Sequence, residues 1–211
     1  MKKVIVFDFD GTLVHSRPLA IQIFNELAEK YGCTKIEEHL VEEYAKLNIR
    51  DRLKALKCPI HKLPRLLLDA RKRYKSSVVG LNLISGIEDV LRTLKQMNIR
   101  IGILSSNAES NIRHFLQLNG IEFFDYVYCA SNLFGKDKAI AKMVKELSLK
   151  TEDVVYVGDE IRDIEACKKV NVTSVAVIWG YDSEELILKG KPDFIVHHPE
   201  EIARIVQGGN I

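Results

Sequence analysis

Asp8 and Asp10 stand two residues apart in VIVFDFDGTL, where two carboxylates break into an apolar run and a glycine follows at once. One explanation is a tight β-hairpin, since Asp-Gly between apolar residues is a strong turn signal. The other is a buried strand that ends at a metal. A calcium loop is excluded: counted from Asp8, its glycine position holds Leu13 and its closing glutamate position Leu19. Polar groups follow three further apolar runs. Ser105, Ser106 and Asn107 come after IGIL, Phe134-Gly135-Lys136 after YVYC and a loop, and Gly158-Asp159-Glu160-Ile161-Arg162-Asp163 after VVYV. Each has an ordinary explanation: serines cap helices, a lysine opening a helix is solvated, and acids suit a helix N-terminus. What joins them is position, because open parallel sheets bind ligands beyond the carboxyl ends of their strands.

The elements around these residues support that placement. VIVFDF (4–9) reads as a strand buried on both faces. From Pro18 the period changes: Leu19, Ile23 and Leu27 recur at helical spacing until Gly32. Residues 33–80 are charged and helix-prone, broken at Pro59 and Pro64, and the first strand-like run among them is Ser76-Ser77-Val78-Val79. Beyond residue 80, helices over 86–98, 108–119, 136–147 and 160–169 alternate with strands over 99–104, 126–129, 154–157 and 173–178. A last strand at 194–196 and a helix opened by Pro199 finish the chain. Such alternation predicts an α/β fold, a Rossmann-like parallel sheet covered by helices. Residues 15–80 are expected to form a small inserted α-helical cap, with 1–14 and 81–211 as the core. A hairpin at Asp10-Gly11 would place an antiparallel ribbon at the start of this parallel alternation.

Composition narrows the function classes. Of 211 residues, 46% are hydrophobic and 28% charged, enough for a packed core. The 31 basic and 29 acidic residues nearly balance, at a net charge of +2, which gives no reason to expect nucleic acid as a partner. Cys33, Cys58, Cys129 and Cys167 form no CxxC pair and read as reduced thiols of a cytoplasmic protein. Neither a signal peptide nor a membrane span is expected. Monomer and dimer remain equally open.

In chain order, "DFDGTLV", "ILSSN", Lys136 in "LFGKDK" and "VYVGDEIRD" resemble the four motifs of the haloacid dehalogenase superfamily of phosphotransferases. The resemblance covers nearly the whole chain. The insertion after the first strand is similar to the cap of the phosphoglycolate phosphatase and β-phosphoglucomutase branch, although His15 stands where that branch often has an acid.

The resemblance implies a magnesium-dependent phosphatase acting on a small phosphorylated metabolite. Asp8 would be the nucleophile, ionised at neutral pH without help from a base. Asp10 would be the general acid and base. Gly11 and Thr12 would turn the main chain toward the phosphate, and Ser105, Ser106 and Asn107 would hold its oxygens. Lys136, which follows Gly135 directly, would balance the charge; Lys138 is the alternative. Two unit charges 4 Å apart repel by about 4 kcal/mol at an effective dielectric of 20, so an incoming phosphate requires a cation. Asp8, the Asp10 carbonyl and Asp159 would bind Mg2+, and Asp163 would hold its water shell or the lysine. A mutase of the β-phosphoglucomutase kind and a non-catalytic metabolite-binding protein are the alternatives. Three further features stay ambiguous: Trp179 as mouth or core, the basic run Arg71-Lys72-Arg73-Tyr74-Lys75 as anion attractor or solvated face, and Arg50 as a specificity residue.

Overall fold

The computed structural model describes residues 2–130 and 135–208. Six parallel strands form one sheet: β1 (Val4–Phe7), β2 (Arg100–Ser105), β3 (Tyr126–Cys129), β4 (Val154–Gly158), β5 (Thr173–Val177) and β6 (Phe194–Val196). Their order is β3-β2-β1-β4-β5-β6, the doubly wound order, whose switch point lies beside the first strand. The register pairs Phe7 with both Ile103 and Val157. The chain therefore leaves β1, β2 and β4 at one edge, with the Asp8 amide still donating to the Val157 carbonyl at 2.8 Å.

The unbroken apolar run of β1 has a simple cause, since both of its faces are covered. Ile5 and Phe7 join a core with helix α5 (Ile87–Gln96) and helix α10 (Glu200–Val206). Val4 and Val6 face helix α7 (Lys136–Glu146) and helix α8 (Ile161–Val170) across Tyr156. Helix α6 (Glu109–Leu118) follows β2, and helix α9 (Glu184–Lys189) follows β5. Alternate side chains of a strand enter opposite layers, so a strand buried on both sides has no polar positions.

Between β1 and β2 stand four helices before α5: α1 (Arg17–Tyr31), α2 (Val41–Ala45), α3 (Ile49–Ala55) and α4 (Leu63–Ser77). Pro18 opens α1 and Gly32, at φ 73°, ends it. Helices α1 and α4 pack together, with Lys30 and Tyr31 both hydrogen-bonded to Asp69 at 2.6 and 2.7 Å. The strand-like run Ser76-Ser77-Val78-Val79 is not a strand. Its serines end α4, and Val78–Gly80 is a short 3-10 turn that buries Val78 and leaves Val79 exposed.

Asp10-Gly11 forms a tight turn without a hairpin. Gly11 sits at φ 75° and its amide donates to the Val14 carbonyl at 3.1 Å. Val14 then meets Leu83 in a single bridge, and no return strand follows among the described residues. Among the same residues, no helix is long and apolar enough to cross a membrane.

Candidate active site

The end of β1 places Asp8 in a buried position, with Oδ1 accepting from the Phe9 amide at 2.7 Å. Its Oδ2 accepts from Lys136 Nζ at 2.5 Å, and the same ammonium donates to Asp163. Lys136 reaches this point because it opens α7, which packs against α8. Burial alone would lower the lysine pKa, but Asp163 and Asp8 outweigh it and hold the group charged. Asp163 is raised to about 6, by burial first, against the pull of Lys136. At the start of α8, Asp163 also closes a capping box with Glu160, accepting from the Glu160 amide at 3.3 Å. Glu160 is ion-paired to Arg162 through Nε at 2.8 Å. Burial works to raise the Glu160 pKa, but Arg162 and Lys136 bring it below the ordinary value.

Carboxylate oxygens of Asp8, Glu160 and Asp163 lie within 4.8 Å of one another, all buried. Such a set of hard oxygen donors can coordinate a divalent cation. Burial and the neighbouring acids Glu160, Asp8 and Asp163 also push Asp159 well above the usual carboxylate range, so negative charge is in excess here.

Residues 5–177 match the family of haloacid dehalogenase-like hydrolases. This chain belongs to that family. It is 31% identical over 205 residues to a phosphoglycolate phosphatase of Synechococcus elongatus, covering 97% of each chain. Among solved structures, a predicted phosphatase from Clostridium acetobutylicum is similar at a TM-score of 0.85 and 18% identity, covering 99% of both chains. A haloacid dehalogenase-like hydrolase from Streptococcus pneumoniae is similar at 0.81 and 21% identity, covering 97% of this chain and 98% of the other. At such identities these two likenesses speak for the fold.

Within this hydrolase fold, Asp10 is turned away from the cluster. Its Oδ1 accepts from the Tyr74 hydroxyl at 2.6 Å and its Oδ2 from Asn107 Nδ2 at 2.8 Å. Burial raises its pKa, with the Tyr74 hydrogen bond opposing. Asp159 follows β4 but faces the other way: Oδ1 accepts from the Thr12 hydroxyl at 2.8 Å and Oδ2 from the Tyr181 amide at 2.8 Å. Gly11 and Gly180 leave room for that carboxylate, since a Cβ at either would lie 2.3 or 2.2 Å from its Oδ2. The Ser105 hydroxyl accepts from the Asn107 amide at 3.1 Å, and Asn107 Oδ1 accepts from Asn111 at 3.0 Å. The Ser106 carbonyl accepts from Arg71 at 2.8 Å. Lys138 is exposed, away from the lysine that meets Asp8. Phe134 lies outside the described residues.

The basic run of α4 divides by helical spacing. Arg71 and Tyr74, three apart, face the strand ends, while Lys72, Arg73 and Lys75 are exposed. Trp179 packs with the main core and donates to the Thr12 carbonyl at 3.3 Å. Arg50 is exposed and lines a second, polar cavity beside Glu160, Arg162 and Asp182. Sequence reasoning missed Glu160 as a third acid of the cluster, Tyr74 as a partner of Asp10, and the buried pair of Arg52 with Asp182 at 2.7 Å. Tyr74 had a detectable signal, as a lone tyrosine on the apolar side of a charged helix.

Proposed function

We propose that this hydrolase is a magnesium-dependent phosphomonoesterase acting on a small phosphorylated metabolite. The observation that carries this reading is Asp8, fixed by Phe9 N–H on one oxygen and Lys136 on the other, beside Glu160 and Asp163. A carboxylate so oriented is preorganised to attack phosphorus. Asp8, Glu160 and Asp163 would hold the magnesium, with Asp159 and the Asp10 carbonyl close by in the chain. The cation would offset the charge brought together when a phosphate meets these acids. Lys136 supplies the fixed positive charge on the nucleophile. Asp10, held by Tyr74 and Asn107, would deliver a proton to the leaving oxygen as the Asp8–phosphate bond forms. It would then take a proton from the water that cleaves the aspartyl-phosphate. Ser105, Ser106, Asn107 and the turn at Gly11-Thr12 would hold the phosphate oxygens.

The test is release of inorganic phosphate from a panel of phosphomonoesters, with magnesium and with EDTA. Asp8→Asn should abolish turnover while leaving the melting curve cooperative, and near-normal activity in that variant would refute the nucleophile. Steady turnover in EDTA would refute the metal. The likeness to a phosphoglycolate phosphatase at 31% identity supports a phosphatase. A mutase would use the same core and would convert a sugar phosphate to its isomer without releasing phosphate. A binding protein would take up ligand and release nothing.

A further inference from the structure

A cavity of about 310 Å³ runs from Asp8 and Asp10 into the space between α1, α3 and α4. Its distant wall is aliphatic and aromatic, with Ile21, Phe24, Ile36, Leu53, Leu56 and Leu67. The basic side chains along it are already committed. Arg17 pairs with Glu42 at 3.1 Å, Arg52 with Asp182 at 2.7 Å, and Arg162 with Glu160. Arg71 differs in donating to a carbonyl, that of Ser106, which places it at the phosphate end. A substrate with a second acidic group would push that group against apolar walls, among cations that carboxylates already neutralise. Burying an unpaired carboxylate in such surroundings is strongly unfavourable.

The geometry points to an apolar leaving group. We propose, resting on the phosphatase reading above, that the substrate is the phosphomonoester of an aliphatic or aromatic alcohol. Its phosphate lies at Asp8 and its organic part lies between α1, α3 and α4. A cavity of about 310 Å³ holds the volume of roughly ten waters, which suits an alcohol of about eight to ten heavy atoms. Cavities of this size and lining are typical of small-molecule sites. The polar side chains at the near end are engaged within the protein, Asn107 and Tyr74 with Asp10 and the Tyr181 hydroxyl with Ser16.

The experiment uses the full chain with magnesium and a series of n-alkyl phosphates from two to ten carbons, with 2-phosphoglycolate and glucose 6-phosphate as polar comparisons. Phosphate release gives kcat/KM, and calorimetry with the matching alkylphosphonates gives affinity without turnover. Both should rise roughly fourfold per methylene and level off at about eight carbons, with a negative heat-capacity change on binding. Leu53→Gln should flatten the rise. Ala20→Leu, which narrows the same space with a good helix former, should move the plateau to shorter chains. Affinity independent of chain length, or a polar comparison as the best substrate, would overturn the proposal. Phosphate release with a flat series would leave the phosphatase reading standing and the apolar site refuted. A steep phosphonate series without any phosphate release would do the reverse.

Discussion

Lys136→Met removes one ammonium and leaves an apolar chain in its place. Lys136 is 2% exposed, and its partners Asp8 and Asp163 are 3% and 1% exposed. The variant therefore leaves two buried carboxylates facing each other without their shared cation. Removing one partner of a buried ion pair typically costs 3–5 kcal/mol, because the remaining charge stays desolvated. At about 2.1 cal/mol/K per residue, a chain of this length has an unfolding entropy near 0.44 kcal/mol/K, so the expected loss is roughly 7–11 °C in Tm. The assay is thermal unfolding in EDTA. With magnesium at about a hundred times its Kd, roughly 2.7 kcal/mol should return. At one shared magnesium concentration the gain should be larger in the variant than in the parent, because the metal then meets an uncompensated acidic cluster and binds more tightly. Turnover should fall by about 10²–10³, as for loss of a fixed charge at a reacting centre. A Tm in EDTA within about 2 °C of the parent would refute the placement of Lys136 as the counter-charge. A magnesium shift smaller in the variant would refute the acidic cluster as the metal site.

Three further perturbations address other parts of the molecule. Tyr74→Phe deletes the 2.6 Å hydrogen bond to Asp10 and should lower kcat by about tenfold, with a stability change below about 1.5 kcal/mol; an unchanged kcat would show that Tyr74 does not position Asp10. Gly11→Ala places a Cβ 2.3 Å from the Asp159 carboxylate at a φ of +75°, so it should cost at least about 1–2 kcal/mol, which differential scanning calorimetry would measure as a lower Tm; an unchanged Tm would contradict the close approach. Asp69 is held down to about 2 by hydrogen bonds from Lys30 and then Tyr31. Because its folded pKa lies below its unfolded value near 3.9, the stabilisation is complete above about pH 5 and disappears as the pH falls toward 2. The Tm gap between the parent and Asp69→Asn should therefore be small at pH 6 and close on acidification; a gap that widens in acid would contradict the sign.

The sheet was legible because burial on both faces leaves an unmistakable trace. VIVF, IGIL and VVYV have no polar alternation, and in the fold both of their sides are covered. The run SSVV misled for the converse reason: β-propensity describes how a side chain fits a pleated surface, whereas Val78 is buried from a 3-10 turn and Val79 is exposed. Helix α9 escaped notice because it spans only Glu184–Lys189, too short for a helical period to emerge. Its signal was local, with Ser183 accepting from the Leu186 amide at 3.3 Å.

The site was legible as strand ends and illegible as side-chain directions. Asp159 and Glu160 are adjacent, and Glu160 has φ −119° and ψ 146°. In extended backbone, neighbouring side chains leave on opposite sides. The two acids therefore leave the backbone in different directions, and the motif spacing favours Asp159 without fixing its direction. In this structure Glu160 takes the place in the cluster, and Asp159 faces Thr12 and Tyr181. Arg162 holds the Glu160 carboxylate in an ion pair at the start of α8. The same logic applies to Tyr74, which lies 64 residues from Asp10 in sequence. Contacts made across an inserted helical layer depend on how that layer docks, which no local pattern encodes. The polar groups at the strand ends were therefore readable, whereas the side chains that contact them across the inserted helices became visible only once the chain was folded.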